Sequence, residues 1–142
     1  EMSDFLDRLA AYGRGIPGVA WALWHCTLRF ARMEDEEGVE GIRKGSTIWL
    51  KPWQELALPG VPQQNHDELA FVLHTLLLHN GAAAELLTEL LPNMVHQILP
   101  VLHDLQAAGV VEQQQRVWRV TALGYPAVRA FLKDEGYLVD AL

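Results

Sequence analysis

The feature that most constrains the fold is a change in the spacing of apolar residues along the second half of the chain. Between residues 66 and 109, apolar residues recur every three or four positions, which is typical of helices. From Val110 to Val120, short β-prone stretches flank the polar segment Gln113 to Arg116, and helical spacing returns after Thr121. The sequence therefore predicts several helices, then a β-hairpin, then a last helix.

Three helices are predicted before the hairpin. The first runs from His66 to His79 and ends at the Asn80–Gly81 pair, and the second, shorter helix runs from Ala82 to Leu91. The third helix runs from Asn93 to Gly109, and Pro100 should kink it or split off its first turn. The apolar residues expected to face the core from this third helix are Val95, Ile98, Leu99, Leu102 and Leu105.

The hairpin and the last helix complete this region. The strands are predicted at Val110–Val111 and Val117–Val120. Thr121 is expected to start the helix Ala122 to Lys133, and a short tail, Tyr137 to Leu142, follows it. The chain shows no internal repeat and no low-complexity tract.

Two further helices are predicted at the start of the chain. Ser3 can cap the first of them, and Gly13 and Gly15 end it. The second helix, Gly18 to Met33, has a wide apolar face. Residues 1–33 are therefore predicted to form a helical pair.

Residues 34–65 are predicted to be a loop, a short strand and a linker. The run Glu34 to Gly38 is acidic and indicates an exposed loop. Thr47 to Leu50 is β-prone and indicates a strand, and the prolines and glycine between Pro59 and Pro62 are typical of a linker.

The second half of the chain resembles a known fold. The segment ILPVLHDLQAAGVV, Ile98 to Val111, is followed by RVWRVTALGYPAVRAFL, Arg116 to Leu132. This resembles the winged-helix pattern, in which the third helix ends in Leu-x-x-x-Gly-hydrophobic and the second strand of the wing runs into Thr-x-x-Gly. The resemblance implies a mainly α fold with a small β-hairpin, a winged helix-turn-helix domain over residues 66–142. Gly109 would permit the left-handed exit from the third helix. The alternative is a plain helical bundle with a separate hairpin.

A second resemblance covers the first helical pair. The segment FLDRLAAYGRGIPGVAWALWHCTLRF, Phe5 to Phe30, resembles the end of the helical lid in AAA+ or STAND-type ATPases of the origin-recognition and transposition-helper kind. In these proteins a winged helix follows the lid, so the resemblance implies the C-terminal part of a larger ATPase. The start at Glu1 agrees with a fragment of a longer chain. The lids carry an arginine that reaches the nucleotide, whereas the matching positions here are Gly18 and Val19.

DNA binding is one function that a winged helix can have. In the usual mode, basic residues of the third helix read bases in the major groove, but Asn93 to Gly109 contains no Lys or Arg. Residues 61–142 hold nine acidic and four basic side chains, a balance of −5, which opposes phosphate binding. The alternative function is therefore a DNA-binding transcriptional regulator that contacts DNA through its wing. The candidate DNA-binding residues are Gln113, Gln114, Gln115, Arg116, Arg119, Arg129, Lys133, Asn93 and Gln97. A competing interpretation is that Arg119 and Arg129 pair with local carboxylates.

Protein recognition is the function that the sequence favours. The chain has five tryptophans, and aromatic residues and methionine are common anchors of protein interfaces. The candidate interface residues are Trp21, Trp24, Trp53 and Met94. The competing interpretation is that most tryptophans are core residues, especially Trp49 and Trp118 on the predicted strands. The sequence thus predicts a non-catalytic recognition module that docks a protein partner, a parent ATPase domain or a second copy of itself.

Composition and motifs favour no catalytic or cofactor chemistry. The chain lacks the G-x-x-x-x-G-K-[ST] phosphate loop and the HExxH or Cys/His spacing of metal sites, so no enzyme activity, cofactor or metal is predicted. A single Cys26 and the absence of a signal-like segment predict a cytoplasmic protein. With 18 acidic and 11 basic residues the formal charge is −7, and the longest nearly uncharged run, Ile16 to Leu28, is too short to span a membrane.

Overall fold

A computed structural model of the chain describes residues 2–36 and 52–137. The chain divides into two compact units, residues 1–57 and residues 58–142. The described residues are mainly helical and include a small antiparallel sheet, which confirms the predicted mainly α class. The strand predicted at Thr47 to Leu50 lies outside the described residues.

The first unit contains a pair of helices, as predicted. Helix α1 spans Met2–Gly13 and helix α2 spans Pro17–Glu36. Arg14 and Gly15 have left-handed backbone angles and form the joint between the helices. The buried residues of α2 follow a four-residue spacing, which places them on one face: Val19, Leu23 and Thr27.

Helix α2 is longer than the sequence predicted. Residues 34–36 are its last helical residues, whereas the acidic run from Glu34 was expected to be an exposed loop from its first residue. Glutamate is a good helix former, and glycine first interrupts this run at Gly38. Helix α2 therefore continues into the first residues of the acidic run.

A single turn of 3-10 helix, Trp53–Glu55, completes the described part of the first unit. The ring of Trp53 meets the rings of Phe5 and Tyr12 edge-on, at centroid distances of 6.2 and 5.7 Å. Burial raises the pKa of the Tyr12 phenol above its ordinary value. Trp53 thus packs against side chains of α1.

The second unit contains four helices. They are α3, His66–Leu78; α4, Ala84–Leu90; α5, Ile98–Ala107; and α6, Tyr125–Asp134. The third predicted helix is split as Pro100 required, because Pro100 lies in the first turn of α5, where its missing N–H breaks no hydrogen bond. Before it, Pro92–Met94 forms a separate 3-10 turn.

The sheet has three strands, one more than the predicted hairpin. Strands β2, Val111–Gln114, and β3, Val117–Val120, form the hairpin, and β1, Ala82–Ala83, pairs antiparallel with the other side of β3. The sequence prediction placed Ala82 and Ala83 in a helix, which is wrong. Alanine favours helices locally, but here the left-handed backbone of Gly81 directs the next two residues along β3.

Apolar residues from all four helices and the sheet form one core in the second unit. The fully buried side chains of α5 are Ile98, Leu102 and Leu105, with Val101 nearly so. They follow helical spacing and pack with buried residues of the other elements, namely Leu69, Val72, Leu73, Leu76, Leu87, Val110, Trp118, Val128 and Leu132. The core positions α5 with its opposite face outward.

The chain leaves α5 and enters α6 through a hydrogen-bonded connection. Gly109 has a φ of +76°, the left-handed exit that the sequence predicted. Thr121 was expected to start the last helix directly, but α6 begins at Tyr125. The hydroxyl of Thr121 instead donates a hydrogen bond to the Gly109 carbonyl oxygen over 2.8 Å. Residues 122–124 form a turn before the helix.

Candidate functional site

The hairpin of β2 and β3 is short and ends in a two-residue turn. Gln115 and Arg116 have φ values of +50° and +66°, as the two central residues of a type I′ turn require. Gln113 and Gln114 belong to β2 rather than to the turn, and all four of these side chains are exposed. The structure thus places four candidate DNA-binding residues together at the end of the hairpin, with one cation among them.

Arg119 lies further back on the sheet. It pairs with Glu112 in the register of β2 and β3, so a carboxylate occupies the neighbouring position on the same face of the sheet. Its stem also covers Gly81, because a Cβ built on Gly81 would lie 2.6 Å from Arg119 Cγ. The stem of Arg119 therefore runs toward the start of β1.

The remaining candidate DNA-binding residues lie on other elements. Arg129 and Lys133 are one turn apart on α6. Arg129 is half-buried and interacts with another group of the chain, whereas Lys133 is exposed. Asn93 is exposed in the 3-10 turn, and Gln97 is exposed directly before α5. These residues and the hairpin tip occupy four separate elements.

The outward face of α5 carries no Lys or Arg. Its exposed residues, counting the turn that precedes the helix, are Val95, His96, Gln97, Leu99, Pro100, His103, Asp104, Gln106 and Ala107. The sequence from residue 52 to residue 115 contains no Lys or Arg at all and has seven acidic residues. The helix that the sequence made the candidate for reading DNA therefore presents apolar groups, amides, two imidazoles and one carboxylate.

Two pairs of exposed apolar residues lie on α4 and at the start of α5. Leu86 and Leu90 are one turn apart on α4, whereas Val95 lies in the turn before α5 and Leu99 lies in the first turn of α5. Leu99 is 52% exposed. Helix α4 packs against both α5 and the 3-10 turn that joins the two pairs. We call these four residues the α4–α5 face.

Two of these residues were predicted to lie in the core, which is wrong. Val95 and Leu99 were expected to face inward with the rest of the third helix. The buried stripe of α5 is already filled, at helical spacing, by Ile98, Val101, Leu102 and Leu105. Leu99 follows Ile98 directly, so its side chain points about 100° around the helix axis from that of Ile98. The predicted helix also began at Asn93, whereas the helix in the structure begins only at Ile98, and Val95 lies in the turn before it.

The predicted interface residues have different environments. Trp21 is 66% exposed on α2, with the His25 ring edge-on at 4.4 Å. Trp24 is half-buried, and so is Trp53, whose ring packs on α1. Met94 is only 8% exposed and belongs to the core of the second unit. A surface partner therefore cannot reach Met94, and its predicted interface role is replaced by a packing role.

The start of α3 and the end of α6 meet in a cluster of aromatic and charged groups. The Nδ1 atom of His66 lies 3.0 Å from a carboxylate oxygen of Glu135. The Tyr137 ring contacts the rings of Phe71 and His74. Burial, and then the carboxylates of Asp67 and Glu135, raise the pKa of Tyr137 above its ordinary value. This cluster fastens the end of α6 to α3.

Trp118 is buried between the hairpin and α5. Its indole Nε1 has no hydrogen-bond partner among the described residues, which costs free energy because the donor has lost its water. The His103 ring of α5 stands edge-on to the indole, with 5.9 Å between centroids. The prediction that Trp118 is a core residue is confirmed by its 2% exposure, and Trp49 lies outside the described residues.

A groove of about 360 Å³ lies between α5 and the segment that enters α3. Its wall combines the amides of Gln63, Gln64 and Asn65 with the carboxylate of Asp104 and apolar side chains, and no cation lines it. In residues 2–36 and 52–137, no group of three or more His, Cys, Asp or Glu side chains is placed to hold a metal ion. No helix within these ranges has the length and apolar character to span a membrane.

Comparison with protein families, with curated proteins and with solved structures finds no match to this chain.

Proposed function

We propose that residues 58–142 form a winged helix-turn-helix domain. The order of elements, α3–β1–α4–α5–β2–β3–α6, supports this proposal, as does the sheet order β1-β3-β2. In such a domain α4 and α5 are the helix-turn-helix pair, with α5 in the position of the recognition helix. The hairpin of β2 and β3 is then the wing, with Arg116 at its tip.

We further propose that this domain is a non-catalytic recognition module that docks protein through the α4–α5 face. The observation that carries the proposal is the exposure of Leu99 on a recognition helix that has no Lys or Arg. A DNA-reading helix would place cations and amides against phosphates and base edges, and would lose affinity by burying leucine beside phosphate. Exposed apolar groups side by side are instead typical of protein interfaces.

The proposal also concerns the identity of the docking partner and the larger protein to which the chain is proposed to belong. Docking to a second copy of the chain and docking to another protein both use the same face, and each is a form of protein recognition. The parentage in a larger AAA+ or STAND-type ATPase stays a prediction. Its support is the order of elements, because the helical pair α1 and α2 precedes the second unit.

Nucleic-acid binding is tested by fluorescence anisotropy with random-sequence duplex DNA, first at low salt and then through a salt titration. We expect no salt-sensitive binding in the micromolar range. Binding that weakens in Arg116→Ala/Arg119→Ala, with the salt slope reduced by about one for each lost phosphate contact, would overturn the proposal in favour of a DNA-binding regulator.

Self-association is tested by sedimentation velocity over a range of concentrations. If the face pairs two copies, Leu99→Gln should shift the chain toward the monomer. The matched control is Leu78→Gln, because Leu78 is 69% exposed on α3 and lies outside the face. An equal shift in both variants would argue against the α4–α5 face as the docking surface.

A further inference from the structure

The charge around the α4–α5 face restricts what can cover it. Glu85 and Glu89 are exposed and each directly precedes a leucine of the face on α4, so two carboxylates lie along one side of the apolar pair. No Lys or Arg occurs between residues 52 and 115, so no cation from this part of the sequence neutralises them. A partner that covers the leucines must come close to both carboxylates, and a cationic partner gains from that approach.

The shape of the face also restricts the partner. Leu86 and Leu90 have the spacing of one helical turn on α4, with about 5–6 Å between Cβ atoms. Together with Val95, in the turn before α5, and Leu99, in the first turn of α5, they offer contacts to an amphipathic helix whose apolar residues recur at i, i+3, i+4 and i+7. The side chains of that helix next to its apolar stripe would then meet Glu85 and Glu89.

A second copy of the chain fits this face less well than a cationic partner. In a two-fold symmetric dimer the same patch faces itself, so the glutamates of one copy approach those of the other. Like charges brought together at an interface are destabilising. Nucleic acid is disfavoured for the same reason, because its phosphates would approach the same carboxylates.

We propose that the α4–α5 face binds a basic amphipathic helix of a protein partner, with apolar residues against Leu86, Leu90, Val95 and Leu99 and with Lys or Arg beside Glu85 and Glu89. This inference rests on the proposed docking function and names the chemistry of its partner.

The test uses two fluorescein-labelled model peptides and the whole chain. One peptide contains only Leu and Lys at amphipathic helical spacing, and the other has Glu in place of every Lys. We expect the Leu/Lys peptide to bind, with the Leu/Glu peptide at least about tenfold weaker, measured by anisotropy at physiological salt. Absence of binding by the Leu/Lys peptide, or equal binding of the two peptides, would overturn the inference.

Matched variants locate the binding site of the peptide. Leu90→Gln/Leu99→Gln should weaken binding of the Leu/Lys peptide by roughly tenfold or more, because exposed anchors of an interface are lost. Leu78→Gln, an exposed leucine of α3, should leave binding unchanged. These substitutions replace exposed side chains, and circular dichroism checks that each variant stays folded. Equal effects of the two substitutions would overturn the inference, because the peptide would then bind elsewhere.

A second pair of variants tests the charge. Glu85→Gln/Glu89→Gln should weaken binding and reduce its salt dependence, whereas Asp134→Asn on α6 should do neither. An unchanged salt dependence in the glutamate variant would contradict the role of these carboxylates. Failure of the peptide, together with self-association that Leu99→Gln abolishes, would overturn the basic partner and leave the docking function. DNA binding through the wing would overturn the docking function itself.

Discussion

The hydroxyl of Thr121 accepts a hydrogen bond from the backbone N–H of Gly124, with 2.9 Å between Oγ1 and N. The same hydroxyl donates to the Gly109 carbonyl oxygen, so it links the end of α5 to the turn before α6. Gly124 is required here because a Cβ would lie 2.8 Å from the Val110 carbonyl oxygen. The Thr-x-x-Gly pattern in the sequence thus has a local structural reason.

Replacing Gly124 should destabilise the second unit. We expect Gly124→Ala to lower the free energy of unfolding by about 2–3 kcal/mol, because the new methyl group meets backbone that cannot move away easily. The measurement is urea unfolding followed by circular dichroism. Gly60→Ala is the control, since no atom lies within 4 Å of a Cβ built there. Similar losses in both variants would contradict the steric explanation.

The turn at the tip of the hairpin of β2 and β3 stores conformational strain. Gln115 and Arg116 are both left-handed, a conformation that costs most residues about 1 kcal/mol or more relative to Asn and Gly. We expect Gln115→Asn/Arg116→Gly to raise the free energy of unfolding by about 1 kcal/mol. Gln115→Ala/Arg116→Ala should bring no gain, because alanine keeps the strain. Thermal unfolding of the three proteins checks this order of stability.

The unpaired indole N–H of Trp118 should be a net cost to stability. Replacing Trp118 with β-(3-benzothienyl)alanine keeps the bicyclic shape and removes the buried donor. We expect the free energy of unfolding to rise by about 1 kcal/mol, because an unsatisfied buried donor is removed. Trp118→Phe serves as the comparison, since it also removes the donor but leaves a cavity. A loss of stability in the benzothienyl variant would show that the N–H has a favourable partner.

Alkaline pH should weaken the attachment of α6 to α3. The pKa of Tyr137 is raised by burial and by the carboxylates of Asp67 and Glu135. The folded protein thus holds this proton more tightly than the unfolded chain, so its stabilising contribution is complete below the unfolded pKa of about 10 and is lost as pH rises through the folded pKa.

The corresponding measurement is thermal unfolding as a function of pH. Tyr137→Phe should flatten the decline in stability above about pH 10, because the titrating phenol is gone. Glu135→Gln should move the part of the decline due to Tyr137 to lower pH, since it removes one of the carboxylates that raise the pKa. Identical pH profiles for wild type and Tyr137→Phe would contradict this assignment.

Features set by neighbouring residues were predictable from the sequence. The helical pair, the helices α3 and α5, and the hairpin follow from apolar spacing, and Gly109 gives the left-handed exit. Pro100 marked the split before α5 because a proline in a helix interior removes a hydrogen bond. These features depend on backbone preferences and on side-chain periodicity, both of which act over a few residues.

Only the tertiary structure decided the candidate site. Ala82–Ala83 became a strand because β3 offers it a partner that no local pattern shows. The segment has several apolar residues, and only some of them pack into the core. Ile98 and Leu102 are buried there, so Val95 and Leu99 remain exposed. The sequence determined how many apolar residues were available, whereas packing against the sheet and the other helices determined which of them remained on the surface.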